Sequence, residues 1–303
     1  MPKENTHILL VNRIINALDC GELKTLLQAN YKSICFGSIV ADTFFYSSNK
    51  EVIKISDELH GKSGEKTNEI IFDMLDHARQ HKSENFLCLS MGYISHCVFD
   101  MVFHPVIYSL TGNYYDKDAT KSDQAVYRHR LIETKLDMKI NGTYFLDNIL
   151  DNNDKSVINL LDMIAAKYGI TNGDIRKAFN KQLIINRCFR SRFMYRLATI
   201  LDKAGILDYK KILPLFYGHS HKSDMEIGEV IEYRDILTGQ EKQGSLTGLL
   251  KAAEDESIKR IDAAYAYYSN TIDRGCAMEI VRGESLDTGE EGCPVDKAIY
   301  SKY

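Results

Sequence analysis

The sequence contains no tryptophan, only four prolines in 303 residues, and no pair of cysteines in a CxxC arrangement. Scarce proline leaves helices with few interruptions. The seven cysteines are odd in number and mostly lie in apolar runs, which favours buried thiols over a disulfide framework. The sequence also lacks a large excess of either charge, because charged residues make up 26% of the chain and the net charge is only −4. Composition therefore implies neither disorder nor strong affinity for nucleic acid.

Long apolar runs are absent as well. No window reaches eighteen apolar residues, so we expect no transmembrane segment. The first ten residues, MPKENTHILL, lack the apolar core and small-residue cleavage site of a secretory signal, which predicts a cytoplasmic protein. The length is sufficient for one large domain or two small ones with a buried core.

What is present is helical periodicity. Apolar residues recur at three- and four-residue spacing in segment after segment, which predicts an all-α fold, and no stretch shows persuasive strand alternation. Pro105 is expected to end a helix at His104, because proline removes a helical hydrogen bond. The predicted helices cover residues 5–18, 21–32, 64–81, 85–104, 122–140, 155–168, 173–204 and 245–272.

No clear linker divides the chain, so we expect one helical domain over residues 1–303. A core of about 5–140 carries the chemistry discussed next, and 141–272 is a helical continuation. Residues 217–244 are rich in glycine and charge and are predicted to form a loop or lid. The tail at 280–303 is predicted to be loose.

The segment GYISHCVFDMVFH, residues 92–104, places His96, Asp100 and His104 at i, i+4 and i+8 in an apolar run. Residues four apart lie on one face of a helix. Two imidazoles and a carboxylate on an apolar face are costly to bury unless they are satisfied, and one divalent metal ion satisfies all three. A buried hydrogen-bond network is the alternative.

Other donors follow the same logic. His129 and Glu133 stand four apart, Asp42 follows a small-residue turn, His60 precedes Gly61, and His7 opens the first helix. Taken singly, the last three also fit an N-cap, a loop residue and a helix N-terminal residue. Together the predicted donors suffice for two or three zinc ions. The predicted metal ligands are His7, Asp42, His60, His96, Asp100, His104, His129 and Glu133.

Grouped metal ions suit the cleavage of phosphate esters. A phosphodiester reacts slowly because its anionic oxygens repel a nucleophile and its alkoxide leaves poorly. Divalent ions neutralise those oxygens, lower the pKa of a bound water and stabilise the leaving oxygen. The donor set therefore indicates metal-assisted hydrolysis.

The order H…GSIVADT…LHG…GYISHCVFDMVFHP…H-x-x-x-E, over about residues 5–137, resembles the zinc-dependent phospholipase C family, whose superfamily includes single-strand-specific zinc nucleases. The resemblance implies a multi-helix domain with a multinuclear metal site between its helices. It implies a first zinc ion on Asp42, His60, His96 and Asp100, a second on His104, His129 and Glu133, and a third on His7 and Asp100. It also makes Asp42 the candidate catalytic base. The secreted members complete the third site with an N-terminal tryptophan, which this sequence lacks.

The function expected from the resemblance is a zinc-dependent phospholipase C-like hydrolase acting on a phospholipid or another phosphodiester, with contact at a membrane surface. A single-strand nuclease or small-molecule phosphodiesterase is the alternative within enzymes, although the acidic balance and absent tryptophan make nucleic acid unlikely as a partner. A noncatalytic zinc-binding sensor of lipid or phosphate is the alternative outside them.

Two further features remain open at this level. The basic aromatic run NRCFRSRFMYR, residues 186–196, either recognises anionic headgroups or nucleic acid, or is a helix alternating between core and solvent. Asp137 either orients His129 or Glu133 or is solvated at the end of its helix.

Overall fold

The protein is helical, as the periodicity predicts. A computed structural model describes residues 3–140, 145–151, 154–206, 208–217 and 227–302. Short 3₁₀ turns lie at Phe44–Tyr46, Leu213–Leu215 and Val295–Lys297. The helices are α1 Glu4–Ala17, α2 Glu22–Ala29, α3 Tyr31–Gly37, α4 Val40–Thr43, α5 Lys50–Leu59, α6 Glu69–His81, α7 Glu84–Thr111, α8 Ala119–Ile140, α9 Leu146–Ile149, α10 Lys155–Tyr168, α11 Asn172–Phe189, α12 Arg192–Lys203, α13 Leu246–Tyr268 and α14 Arg274–Ile280.

Helix α7 forms the centre of the fold. It is apolar on all sides and packs against α1, α3, α6, α8 and α13, as expected of a helix surrounded by others. By length and composition α7 could also cross a membrane, and 89% of its most apolar window is buried within the protein. The donor residues of 92–104 are thereby carried in the interior.

The prediction that Pro105 ends this helix is wrong. Helix α7 runs on to Thr111, with Val106, Ile107 and Tyr108 buried after the proline. Proline removes one hydrogen bond, but burial of these three side chains stabilises the following turn by more than one such bond is worth. His104 therefore lies inside the helix, held by a turn on either side.

A close crossing of α3 and α7 depends on two glycines. A Cβ atom added to Gly92 would lie 2.1 Å from the carbonyl oxygen of Ile34, and one added to Gly37 would lie 2.1 Å from that of Leu89. Only glycine allows two backbones to approach this closely. The crossing brings Ser38, which follows α3, against the face of α7 that carries His96.

Short helices were missed and a long one was merged. Most of α3 and all of α4 and α5 fall outside the predicted segments, because helices of four to ten residues show too few turns of periodicity. The predicted helix 173–204 is two helices, α11 and α12. Ser191 separates them in an extended conformation and caps α12 by accepting a hydrogen bond from the Met194 amide at 3.3 Å.

The predicted loop or lid at 217–244 contains most of a small antiparallel hairpin, for which the sequence shows no persuasive strand alternation. Strand β1, Val230–Arg234, pairs with β2, Glu241–Ser245. Only Ile231 is buried in these strands, so the alternation that reveals a half-buried strand is absent. Residues 218–226 of the predicted lid lie outside the described residues.

The tail after α14 is packed, in contrast to the loose tail that its turn-rich composition predicts. The Leu286 amide donates to the carbonyl oxygen of His60 at 2.9 Å, and the Val295 amide donates to that of Lys62 at 3.0 Å. Arg260 of α13 donates to both carboxylate oxygens of buried Glu284, at 2.8 and 3.0 Å. The tail thereby lies against the segment that follows α5.

Candidate metal centre

Helix α7 contributes three of the predicted donors to the candidate metal centre. His96, Asp100 and His104 lie on one face, as their spacing predicts, and all three are buried. Oδ2 of Asp100 lies 3.3 Å from Nε2 of His96 and 3.6 Å from Nε2 of His104. The carboxylate thus sits between two imidazoles that direct the same nitrogen towards it.

Helix α1 adds a third imidazole. Nε2 of His7 lies 3.3 Å from Oδ1 of Asp100, and the His7 ring stacks on that of His96 with centroids 4.3 Å apart. The nearby turn of α1 is fixed to α8, because buried Asp137 accepts hydrogen bonds from Thr6 and from Tyr217. Asp137 is therefore not solvated, and its described partners are these groups and Asn5.

Helix α4 and the end of α5 add Asp42 and His60. Nε2 of His60 lies 3.2 Å from Oδ1 of Asp42 and 3.6 Å from Oδ2 of Asp100. Nε2 of His96 lies 3.9 Å from Oδ1 of Asp42. One donor atom from each of these four residues lies within 4.8 Å of all the others, so they could surround a single ion.

Helix α8 places His129 and Glu133 beside the other end of the α7 face. Nε2 of His129 lies 2.8 Å from Oε1 of Glu133, and its ring centroid is 6.1 Å from that of His104. In the part of the chain that the structure describes, His7, His104, His129 and Glu133 fall outside the four-residue group. All eight predicted donors nevertheless form one continuous cluster through Asp100 and His104.

The outward nitrogens of His60 and His96 are held by main-chain carbonyl oxygens. Nδ1 of His60 lies 2.6 Å from the carbonyl oxygen of Ser56, and Nδ1 of His96 lies 3.0 Å from that of Ser38. In both rings Nε2 is left facing the cluster. A histidine that binds a metal through one nitrogen commonly donates its other N–H to an oxygen in this way.

Asp287, in the packed tail, takes the corresponding place beside His104. Its Oδ1 lies 3.2 Å from Nδ1 of His104 and accepts a hydrogen bond from the Tyr114 hydroxyl at 2.9 Å. The residue is buried against the centre. Sequence reasoning missed Asp287, because it stands in a turn-rich segment with no periodic pattern and no donor at helical spacing.

The donor atoms fit a metal ion. Buried atoms that lack a well-directed hydrogen bond among the described residues include Nε2 of His7, His60, His96 and His104, Oδ1 of Asp42 and both oxygens of Asp100. So many unsatisfied polar atoms are costly to bury unless a bound cation compensates them. Imidazole and carboxylate donors together are typical of zinc, and an open site built from them is typical of catalysis.

The charges of the cluster are strongly coupled. Burial raises the pKa of Asp100, but the imidazoles around it, His104 foremost, outweigh burial and hold the pKa well below its ordinary value. Burial raises the pKa of Asp42 despite the opposing effect of His60. Burial lowers the pKa of His60, but the neighbouring Asp42 outweighs it and raises the pKa to about 9. Without metal, therefore, the cluster holds protons that a cation would displace.

A cavity of about 790 Å³ adjoins the centre. Part of its lining comes from Asp42, His60, His129, Glu133 and Asp287. The remaining wall is largely apolar, with three basic and two acidic side chains, and is formed by residues that include Phe45, Ile185, Phe189, Ile212, Leu215, Lys3, Lys62, Arg130, Glu4 and Asp57. A polar centre beside an apolar wall is suited to an amphiphilic molecule.

Comparison with known proteins supports the same chemistry. A family model described as zinc dependent phospholipase C matches residues 6–195, which is more than half of the chain. All eight predicted donors lie within the matched segment, and Asp287 lies beyond it. No curated protein and no solved structure is significantly similar to the chain.

Proposed function

Because the chain belongs to the zinc-dependent phospholipase C family, we propose that it is a zinc-dependent hydrolase that cleaves a phospholipid at its phosphodiester and releases the phosphorylated headgroup. The observation that carries the proposal is the convergence of buried histidine and carboxylate donors on Asp100, beside a largely apolar cavity that four of the donors line. Fold alone does not determine substrate, so this site is the relevant support.

The residues suggest how the ions would be held. Asp42, His60, His96 and Asp100 would hold one ion, and His104, His129 and Glu133 a second, while His7 and Asp100 would contribute to a third. Bound zinc would neutralise the phosphate oxygens, acidify the attacking water and stabilise the departing alkoxide.

The reaction needs one proton acceptor from the chain. The water oxygen forms a bond to phosphorus, the bond between phosphorus and the glycerol oxygen breaks, and that oxygen gains a proton from solvent. We assign the acceptor of the water proton to Asp42, because it lines the cavity and lies beside the ion that it would share with His60, His96 and Asp100.

The cavity supports a lipid as the substrate. Phe45, Phe189 and Leu215 supply apolar wall on which a glycerol backbone and the first acyl carbons can lie, while Lys3 and Arg130 can face an anionic phosphate. Binding sites of this size are usually apolar with a few placed polar groups, which matches an amphiphile better than a fully charged polymer.

The test is metal-dependent turnover on three substrates. Zinc-loaded, chelated and zinc-restored protein would be incubated with mixed phospholipid vesicles, single-stranded DNA and a small chromogenic phosphodiester. We expect water-soluble organic phosphate from the vesicles, loss of release on chelation and recovery with zinc. The His96→Ala variant should lose release, whereas His81→Ala, an exposed histidine of α6, should retain it.

The other outcomes decide between the alternatives. Cleavage of only the DNA would indicate a nuclease, and cleavage of only the small diester would indicate a small-molecule phosphodiesterase. Bound zinc with no turnover on any substrate would contradict the enzyme assignment and favour a sensing role.

A further inference from the structure

Helix α12 has one face packed in the protein. Ala198 is buried in a small apolar cluster with Phe189 and Phe216, and Met194 and Tyr195 pack against that cluster. These three inward residues are a quarter of the twelve-residue helix. The short linker at Ser191 fixes α12 directly after α11.

The opposite face of α12 is apolar but exposed. Phe193 is 72% exposed, Leu197 39% and Ile200 63%. Spacings of four and three place the three side chains in one stripe along the helix. Isolated exposed apolar residues are common, but three aligned ones on one helix form a stripe of the kind that usually marks a contact.

Basic side chains lie beside this stripe. Arg192, Arg196 and Lys203 are exposed and occupy an adjacent strip of the same helix. None of these three cations forms an ion pair within the described segments of the chain, whereas Arg187 and Arg190 of α11 pair with Asp147. The α12 surface therefore combines an apolar stripe with uncompensated positive charge.

The same cluster connects α12 to the cavity. Phe189 is buried behind α12 and also lines the cavity, as do Ile185, Ile212 and Leu215, which pack against that cluster. The exposed stripe of α12 and the cavity wall are thus two sides of one apolar layer.

We propose that α12 is a membrane-docking element, in which Phe193, Leu197 and Ile200 enter the surface of a bilayer containing anionic lipid while Arg192, Arg196 and Lys203 contact its phosphates. This inference rests on the proposed function, since it supplies the surface from which a phospholipid would be drawn. An apolar stripe flanked by cations is the pattern of helices that lie in a membrane interface.

The charges favour a lipid surface over a second copy of this chain. Two copies meeting through this stripe would bring their rows of cations close together, and like charges repel. An anionic bilayer instead complements those cations and accepts the apolar side chains. A contact between copies is therefore treated as an outcome of the test.

The experiment measures sedimentation of the full, zinc-loaded protein with vesicles of phosphatidylcholine alone or mixed with phosphatidylserine. The variant Phe193→Ser with Ile200→Ser should lower the partition coefficient at least about tenfold, because two exposed side chains no longer enter the bilayer. The matched control Val230→Ser with Ile299→Ser removes two residues that are 60% and 64% exposed elsewhere and should bind as the parent does.

Charge provides a second variant. Arg192→Glu with Arg196→Glu should remove the preference for phosphatidylserine vesicles while leaving thermal unfolding unchanged, because both side chains are exposed. Equal partition of the parent and of both α12 variants would overturn the proposal. A shift of the serine variant from dimer to monomer in gel filtration, with vesicle binding unchanged, would also overturn it and assign the surface to self-association.

Turnover separates this proposal from the assigned activity. If the parent cleaves a monomeric short-chain phospholipid, the serine variant should cleave it at the parental rate and lose rate only on vesicles. If no substrate is cleaved but the variants lose vesicle binding as described, membrane docking is supported and the enzyme assignment fails.

Discussion

At the scale of single residues, Asp100 is the point on which the centre converges. Nε2 of His7 faces one of its oxygens, and Nε2 of His60, His96 and His104 face the other, at 3.3 to 3.6 Å. An oxygen with two lone pairs cannot satisfy three imidazoles by hydrogen bonding alone. A shared carboxylate could, however, contribute to ions held by different histidines. The spacing of His96, Asp100 and His104 suits this role, because it places the carboxylate between two imidazoles.

The first prediction concerns Asp42. Replacing Asp42 with Asn should abolish turnover while part of the metal stays bound, because the amide cannot accept the water proton but His60, His96 and Asp100 remain. Turnover and metal content by elemental analysis would be measured on the same sample. A fully active Asp42→Asn variant would remove this residue from the mechanism.

The second prediction concerns Asp287. Its Oδ1 lies 3.2 Å from Nδ1 of His104, so Asp287→Ala should remove the carboxylate beside that imidazole and weaken zinc binding by about 10- to 100-fold. Asp287→Asn keeps an accepting oxygen and should recover part of the affinity. Competition with a chelating dye reports affinity without any substrate. The exposed Asp296→Ala in the same tail is the control, and unchanged affinity in Asp287→Ala would refute the role.

Lys3 gives the third prediction, on pH. Burial lowers its pKa from 10.5 to about 8, and its ammonium lies 3.9 Å from the ring centroid of Tyr217. Between those pH values the folded protein has released this proton and the unfolded chain has not. The unfolded state then binds more protons, so stability rises with pH through this window. Below pH 8 both states are charged, and the folded state carries the full cost of the buried charge.

The measurement for Lys3 is urea unfolding of reduced, zinc-free protein at pH 7 and pH 10. Relative to Lys3→Met, the unfolding free energy of the parent should rise by roughly 2 to 3 kcal/mol over that range. The variant serves as the control for other titrating groups. A difference between parent and variant that does not change with pH would refute the lowered pKa.

At the scale of elements, the crossing of α3 and α7 links stability to the site. Gly92→Ala would place a Cβ atom 2.1 Å from the carbonyl oxygen of Ile34, so the helices must separate. We expect a loss of about 2 kcal/mol or more in unfolding free energy. Weaker zinc binding should accompany it, because Ser38 would move away from Nδ1 of His96.

The control for this crossing is Gly173→Ala, in the first turn of α11. The nearest atom that an added Cβ would meet there is 4.0 Å away, so the change should be neutral or stabilising by up to about 1 kcal/mol. Denaturant unfolding of both variants with and without zinc gives the two quantities. A Gly92→Ala variant as stable as the parent would show that the helices tolerate separation.

Helices and strands could be predicted from the sequence where local residue spacing alone determines them. The face of α7 follows from spacing, because helical geometry alone places His96, Asp100 and His104 together. The continuation past Pro105 depends on what packs around the helix, and the hairpin of β1 and β2 depends on main-chain pairing between polar residues. Neither signal is carried by local periodicity.

At the scale of the whole molecule, the first helix and the C-terminal tail meet at the metal centre. His7 comes from α1 and Asp287 from the packed tail, and the tail is held by the Leu286 amide and by the buried pair of Arg260 and Glu284. The all-α fold and the family were predicted from the sequence and are confirmed. The packing of the tail against the metal centre was not predicted, because its contacts join residues far apart along the chain. The extent of the single domain and the metal-binding roles of the eight donors stay predictions.

The most direct test of the central claim is hydrolysis of vesicles in water enriched in oxygen-18, with mass analysis of both products. Attack of water on phosphorus predicts one heavy oxygen in the phosphate of the released headgroup, none in the diacylglycerol, and no release from chelated protein. No headgroup release by zinc-loaded protein, or heavy oxygen in the diacylglycerol, would contradict a phospholipase C reaction at this centre.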